Sequence, residues 1–134
     1  MPDLNITGLD HVALVVRDLK ASTAWYERVL GLERKFADAW GDVPVMLAAR
    51  GEGRSGVALF PVSVEQPQRL PARWSALAVD HVAFRVDREN FERARGRLHE
   101  LGIRFEFEDH TVSHSIYFDD PDGHRLEITN YEVR

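Results

Sequence analysis

Two histidines stand in nearly the same surroundings. Asp10-His11-Val12-Ala13-Leu14-Val15-Val16 recurs seventy positions later as Asp80-His81-Val82-Ala83-Phe84-Arg85-Val86, with five of seven residues unchanged. A single histidine on a strand is usually a packed or solvated side chain, but a repeated one points to shared chemistry. Both runs are short, apolar and β-branched, so strands are expected, and residues two apart share a face. His11 then lies with Ala13 and Val15, and His81 with Ala83 and Arg85. Near the end of the chain, Leu126 and Ile128 take one face of a further strand and leave Arg125, Glu127 and Thr129 on the other. The two imidazoles and the Glu127 carboxylate therefore point away from the apolar side. If the twofold repeat brings them together, His11, His81 and Glu127 suit one divalent Fe, Mn, Co, Ni or Zn ion, with positions left open for substrate or water. Ligand type does not choose among these metals. Cysteine is absent, which excludes thiolate ligands, thiol nucleophiles and disulfides.

These side chains need elements to carry them. After each histidine strand come an Asp, a helical stretch and a Leu-Gly: Asp18 to Leu30-Gly31, and Asp87 to Leu101-Gly102. The aspartates can cap backbone N–H groups, and the glycines can take the left-handed conformation that ends a helix. Phe91, Ala94, Leu98 and Leu101 form an apolar stripe at helical spacing. Strands are predicted at 33–37, 45–49 and 57–62, then at 104–108, 113–119 and 125–130. The fold class is α+β: two βαβββ modules forming a curved eight-stranded mixed sheet, with helices on the convex face and the site on the concave one. Module one covers about 8–62, a connector containing Pro67 and Pro71 covers about 63–78, and module two covers about 79–131. All belong to one domain spanning 1–134.

With 134 residues and 44% hydrophobic content, the chain can bury one core. A net charge of -5 argues against nucleic acid and anionic membranes, both of which require clustered cations. No basic and apolar leader and no membrane-length apolar run is visible, so a cytoplasmic protein with a small-molecule partner is expected.

The twin Asp-His-Val-Ala strands, the helix ending Val29-Leu30-Gly31-Leu32, and the run from Ile116 through Asp120-Pro121-Asp122-Gly123-His124-Arg125-Leu126-Glu127 closely resemble the vicinal oxygen chelate superfamily. That superfamily holds glyoxalase I, fosfomycin and bleomycin resistance proteins, and extradiol ring-cleaving dioxygenases. The resemblance spans Gly8 to Asn130 and implies metal ligands at His11, His81 and Glu127. It also implies a homodimer, and a substrate that chelates the metal through vicinal oxygens. Ring-cleaving dioxygenase is the favoured subclass, with Fe(II) or Mn(II) as the favoured metal. In that subclass His110 would act as acid or base, and Tyr117 as a donor to oxygen. Glu108 departs from the dioxygenase pattern.

A fosfomycin-type thiol transferase is the alternative, with Ser113 and Ser115 contacting an anion. A glyoxalase-type lyase or isomerase is weakened because alignment of Gly56-Val57-Ala58-Leu59 with Arg125-Leu126-Glu127-Ile128 puts a methyl group where a carboxylate is needed. A metal-free drug-sequestering protein is the reading from another class. Arg85, on the His81 face, is a candidate for a substrate carboxylate, and Phe60, Trp40 and Met46 are candidates for apolar lining.

Overall fold

The computed structural model describes residues 3–51, 55–64 and 69–134, and the chain divides into two compact units, Met1–Val62 and Ser63–Arg134. Residues 65–68 of the expected connector lie outside the described residues.

In the first unit, β1 (His11–Val16) leads into α1 (Leu19–Leu30), followed by β2 (Glu33–Lys35), α2 (Ala37–Trp40), β3 (Val45–Ala48) and β4 (Gly56–Pro61). The strand order is β1-β4-β3-β2; β1 runs parallel to β4, and the other two pairs are antiparallel. Helix α1 forms where expected: Asp18 Oδ1 accepts from the Ala21 N–H at 3.0 Å, and Gly31 ends the helix at φ 65°. It buries Ser22, Tyr26 and Val29. Gly56 is required for a different reason. A Cβ there would stand 1.9 Å from the Leu47 carbonyl oxygen, so β3 and β4 can approach only over a glycine.

The second unit repeats the plan with β5 (His81–Arg85), α3 (Arg88–Glu100), β6 (Glu106–Asp109), β7 (His114–Asp119) and β8 (Arg125–Asn130). Its order is β5-β8-β7-β6, again with one parallel pair, β5 with β8. Asp87 caps α3 through the Asn90 N–H at 2.8 Å, and Phe91 and Leu98 of the expected stripe are buried. Two βαβββ modules are thus present, and their hydrogen bonds group the eight strands into two sheets of four.

Two boundaries differ from expectation by two residues, the others by one at most. The strand predicted at 33–37 stops at Lys35, because Phe36 adopts a left-handed φ of 62° and its ring packs on Trp40 at 4.9 Å, turning the chain into α2. The strand predicted from 104 begins at Glu106, because the Ile103 N–H returns to the Leu98 carbonyl at 2.8 Å as part of the helix terminus.

Candidate metal and substrate site

Register decides which side chains of the second sheet share a face. His81 stands opposite Arg125 and Ala83 opposite Glu127 on β8, while Tyr117 and Ser115 of β7 face Glu127 and Thr129. On β6, Glu106 pairs with Tyr117 and Glu108 with Ser115. One face therefore collects an imidazole, several carboxylates, two hydroxyls, a phenol and a guanidinium.

The centre of this face is a close contact between His81 Nε2 and Glu127 Oε1, 3.0 Å apart. On the other side of the ring, His81 Nδ1 lies 2.8 Å from Asp80 Oδ2. A carboxylate only accepts, so Nδ1 carries the proton, and a neutral ring presents its Nε2 lone pair to Glu127. Two acceptors facing each other need a shared cation between them, either a proton or a metal ion. Two donors about 2.1 Å from one ion and roughly at right angles to each other stand about 3.0 Å apart, so this pair fits a divalent metal.

Glu127 is buried and held on its far side. Ser115 Oγ lies 2.6 Å from Glu127 Oε2 and 2.9 Å from Thr129 Oγ1. A hydroxyl has one proton, so Ser115 donates to the carboxylate and accepts from Thr129. One oxygen of Glu127 is thereby occupied by Ser115, leaving the other for His81.

The Tyr117 hydroxyl sits 2.9 Å from His110 Nε2, whose other neighbour is Glu108 Oε2 at 3.5 Å. Burial, reinforced by the nearby Glu127 charge, pushes the Tyr117 phenol up to about 12, so it remains protonated across the neutral range. The Arg125 guanidinium lies 4.8 Å over the Tyr117 ring; its Nη2 is 3.7 Å from Glu106, and its buried Nε has no hydrogen-bond partner among the described residues.

The structure brings His81, Glu127, Ser115, Tyr117 and His110 together. Ser113 is buried, and its carbonyl accepts from the His110 N–H at 2.9 Å, shaping the loop that carries His110. Arg85 is turned onto the Tyr131 ring, 5.4 Å from its centroid. The site lies outside the 550 Å³ cavity under the C-terminal tail, whose lining includes Arg88, Tyr131 and Arg134.

His11 belongs to the first unit, where its Nδ1 lies 2.8 Å from Asp10 Oδ2. Ala13 stands opposite Ala58 just as Ala83 stands opposite Glu127, and Met46 meets Ala58 as Tyr117 meets Glu127. The first module therefore has a methyl group at the carboxylate position. Met46, Ala48 and Ala58 form a buried apolar cluster, and Phe60 lies on the His11 face, half-exposed. Among the described residues, no three His, Asp or Glu side chains are gathered as a metal cage. Sequence reasoning missed the roles of Asp80, Thr129 and Arg125. Asp80 had a visible signal, since it precedes a histidine in both copies of the repeat.

Two βαβββ modules, the second carrying the close His81–Glu127 pair on one sheet face, place the chain in a class of small two-module α+β proteins. A profile of the Glyoxalase/Bleomycin resistance protein/Dioxygenase superfamily matches residues 8–128, and the chain belongs to this superfamily. Among its relatives is the glutathione transferase FosA of Serratia marcescens, 31% identical over 129 residues, which cover 92% of this chain and 80% of that protein. A glyoxalase/dioxygenase structure from Nostoc punctiforme is 25% identical with a TM-score of 0.77, covering 95% of this chain and 92% of the other. A FosX mutant of Listeria monocytogenes, solved with Mn(II) and 1S,2S-dihydroxypropylphosphonic acid, is 24% identical with a TM-score of 0.64, covering 92% and 90%; that likeness shows the fold alone. No helix of the described residues is long and apolar enough to cross a membrane.

Proposed function

We propose that this protein is a metal-dependent enzyme that adds a thiol to a small oxygen-rich electrophile, an epoxide carrying an anionic group, in the manner of the fosfomycin resistance relatives. The observation that carries the metal reading is the 3.0 Å approach of His81 Nε2 to Glu127 Oε1, backed by Asp80 on one side and Ser115 on the other. The thiol-transfer subclass takes its support from the likeness to FosA and ranks above ring cleavage, which the sequence pattern alone had favoured.

His81 and Glu127 would hold the ion, and His11, matched to His81 by the repeat, would be the third ligand, supplied by a second copy of the chain in a homodimer. Fe(II) or Mn(II) is the favoured metal, and Mn(II) serves as the probe. The ion would act as a Lewis acid on the substrate oxygen. In the reaction, the thiolate sulfur forms a bond to an epoxide carbon, the carbon–oxygen bond breaks, and the released oxygen takes a proton. Tyr117, protonated at neutral pH, gives its phenolic proton to that oxygen, and a protonated His110, 2.9 Å from the hydroxyl, returns a proton to the phenolate. Arg125, stacked on Tyr117, places a fixed positive charge for the anionic substituent.

Ring cleavage keeps one specific observation, the pairing of His110 with Tyr117, and is the second reading. The two are separated by phosphorus NMR of fosfomycin with glutathione and Mn(II), run beside an anaerobic Fe(II) reconstitution with catechol and oxygen. A new phosphonate signal that requires both thiol and metal is expected. A yellow ring-fission product with an unchanged phosphonate signal would reverse the ranking.

A further inference from the structure

We propose that Arg73, on the segment before β5, is a positioning residue that locks the His81 imidazole through Asp80 and makes the second histidine of the repeat the preorganised one. This inference rests on the metal reading above for its consequence, and on the side chains alone for its geometry.

Arg73 grips Asp80 with both prongs: Nε to Oδ1 at 2.8 Å and Nη2 to Oδ2 at 2.5 Å. Asp80 Oδ2 also accepts from His81 Nδ1 at 2.8 Å, and His81 Nε2 meets Glu127. Four side chains are thus linked in series. A carboxylate held at both oxygens by a planar fork cannot rotate without breaking two charge-assisted hydrogen bonds, so the ring bonded to it is held as well.

The repeat supplies an internal control. Asp10 and His11 make the same 2.8 Å contact, yet Asp10 is 71% exposed against 17% for Asp80, and no described cation is bonded to it. The motif is the same in both modules; the arginine marks only one of them.

The backbone around Arg73 is shaped for this task. Trp74 adopts a left-handed φ of 65°, a conformation unfavourable for a bulky aromatic residue. The Ser75 N–H closes a turn onto the Ala72 carbonyl at 3.1 Å, and the guanidinium lies 4.7 Å over the Trp74 ring. The uncommon turn and the ring contact lie directly beside the forked ion pair and fix where the Arg73 side chain starts. The duller reading is a half-exposed salt bridge fastening a surface segment. That reading predicts an effect on stability and none on His81.

The test uses Arg73→Gln, Arg73→Lys, Asp80→Ala and the double variant Arg73→Gln/Asp80→Ala in the full chain. Two quantities are measured: Mn(II) affinity, and the nitrogen NMR signals of the His81 ring in metal-free protein. Arg73→Gln is expected to bind Mn(II) about tenfold more weakly, as for loss of an outer-shell partner, and to broaden or shift the His81 Nδ1 signal. Lysine, which keeps the charge but not the fork, should recover part of both effects. The double variant should bind no more weakly than Asp80→Ala, because Arg73 acts through that residue. Unchanged ring signals in Arg73→Gln, or an effect that adds fully to Asp80→Ala, would overturn the proposal. If the wild type binds no Mn(II), the metal reading fails, and the ring signals alone decide the positioning role.

Discussion

Glu127 has two carboxylate oxygens with different partners, and its role depends on that asymmetry. Oε2 accepts from Ser115, and Oε1 faces His81. Replacing Ser115 with alanine leaves a buried charged oxygen and the Thr129 hydroxyl without their shared partner. Ser115→Ala is therefore expected to weaken Mn(II) binding about tenfold, read by competition with a metal indicator. Glu127→Gln should weaken it further, since an amide is a poorer ligand than a carboxylate. Parts of this site were legible in the sequence. Strand alternation put His81 and Glu127 on one face, and alignment of the modules put Ala58 in the carboxylate position, which the strand register reproduces. Ser115 was legible as a candidate contact for an anion, but not as the partner of Glu127. A hydroxyl opposite Thr129 can turn to a substrate or to a neighbouring strand, and spacing does not distinguish the two. Arg73 gave no signal, because its partner is reached through a turn with no periodicity.

At the scale of elements, caps and close approaches decide where the chain turns. Hydrogen bonds from Asn90, its backbone N–H first, hold the Asp87 carboxyl below its ordinary value of 3.8. The folded state thus favours the charged form. The stabilisation is present above the unfolded value and lost as pH falls through the lower folded one. Asp87→Ala should melt below wild type at pH 7, and the gap should close on acidification past the usual aspartate range, measured by circular dichroism. Gly56 makes the opposite kind of contribution, since it stabilises by having no side chain. Gly56→Ala would drive a methyl group into the Leu47 carbonyl, and a cost of about 3 kcal/mol in urea unfolding is expected. The Asp–helix–Gly pattern was readable because capping is local chemistry. The short helix α2 was not, because it depends on Phe36 packing on Trp40 after an uncommon backbone turn.

For the whole molecule, the modules differ in chemistry more than in shape. Where the second has Tyr117 opposite Glu127, the first has Met46 opposite Ala58, so the first module has a buried apolar cluster at the positions where the second has a phenol and a carboxylate. The histidine strands β1 and β5 each lie at the edge of their four-stranded sheet. Leu4, Ile6, Leu9, Trp74, Leu77 and Val79 are exposed apolar residues. Under the proposed function, His11 of one copy completes the site of another, and this can be tested without knowing the substrate. His11→Ala and His81→Ala are each expected to lose Mn(II) binding on their own. Refolded together, they form mixed dimers in which one site combines an intact His11 from one chain with an intact His81 and Glu127 from the other. Recovery of one ion per mixed dimer, measured by elemental analysis, is expected. If each chain instead builds its own site, every site in the mixture carries one of the two lesions, and no metal returns.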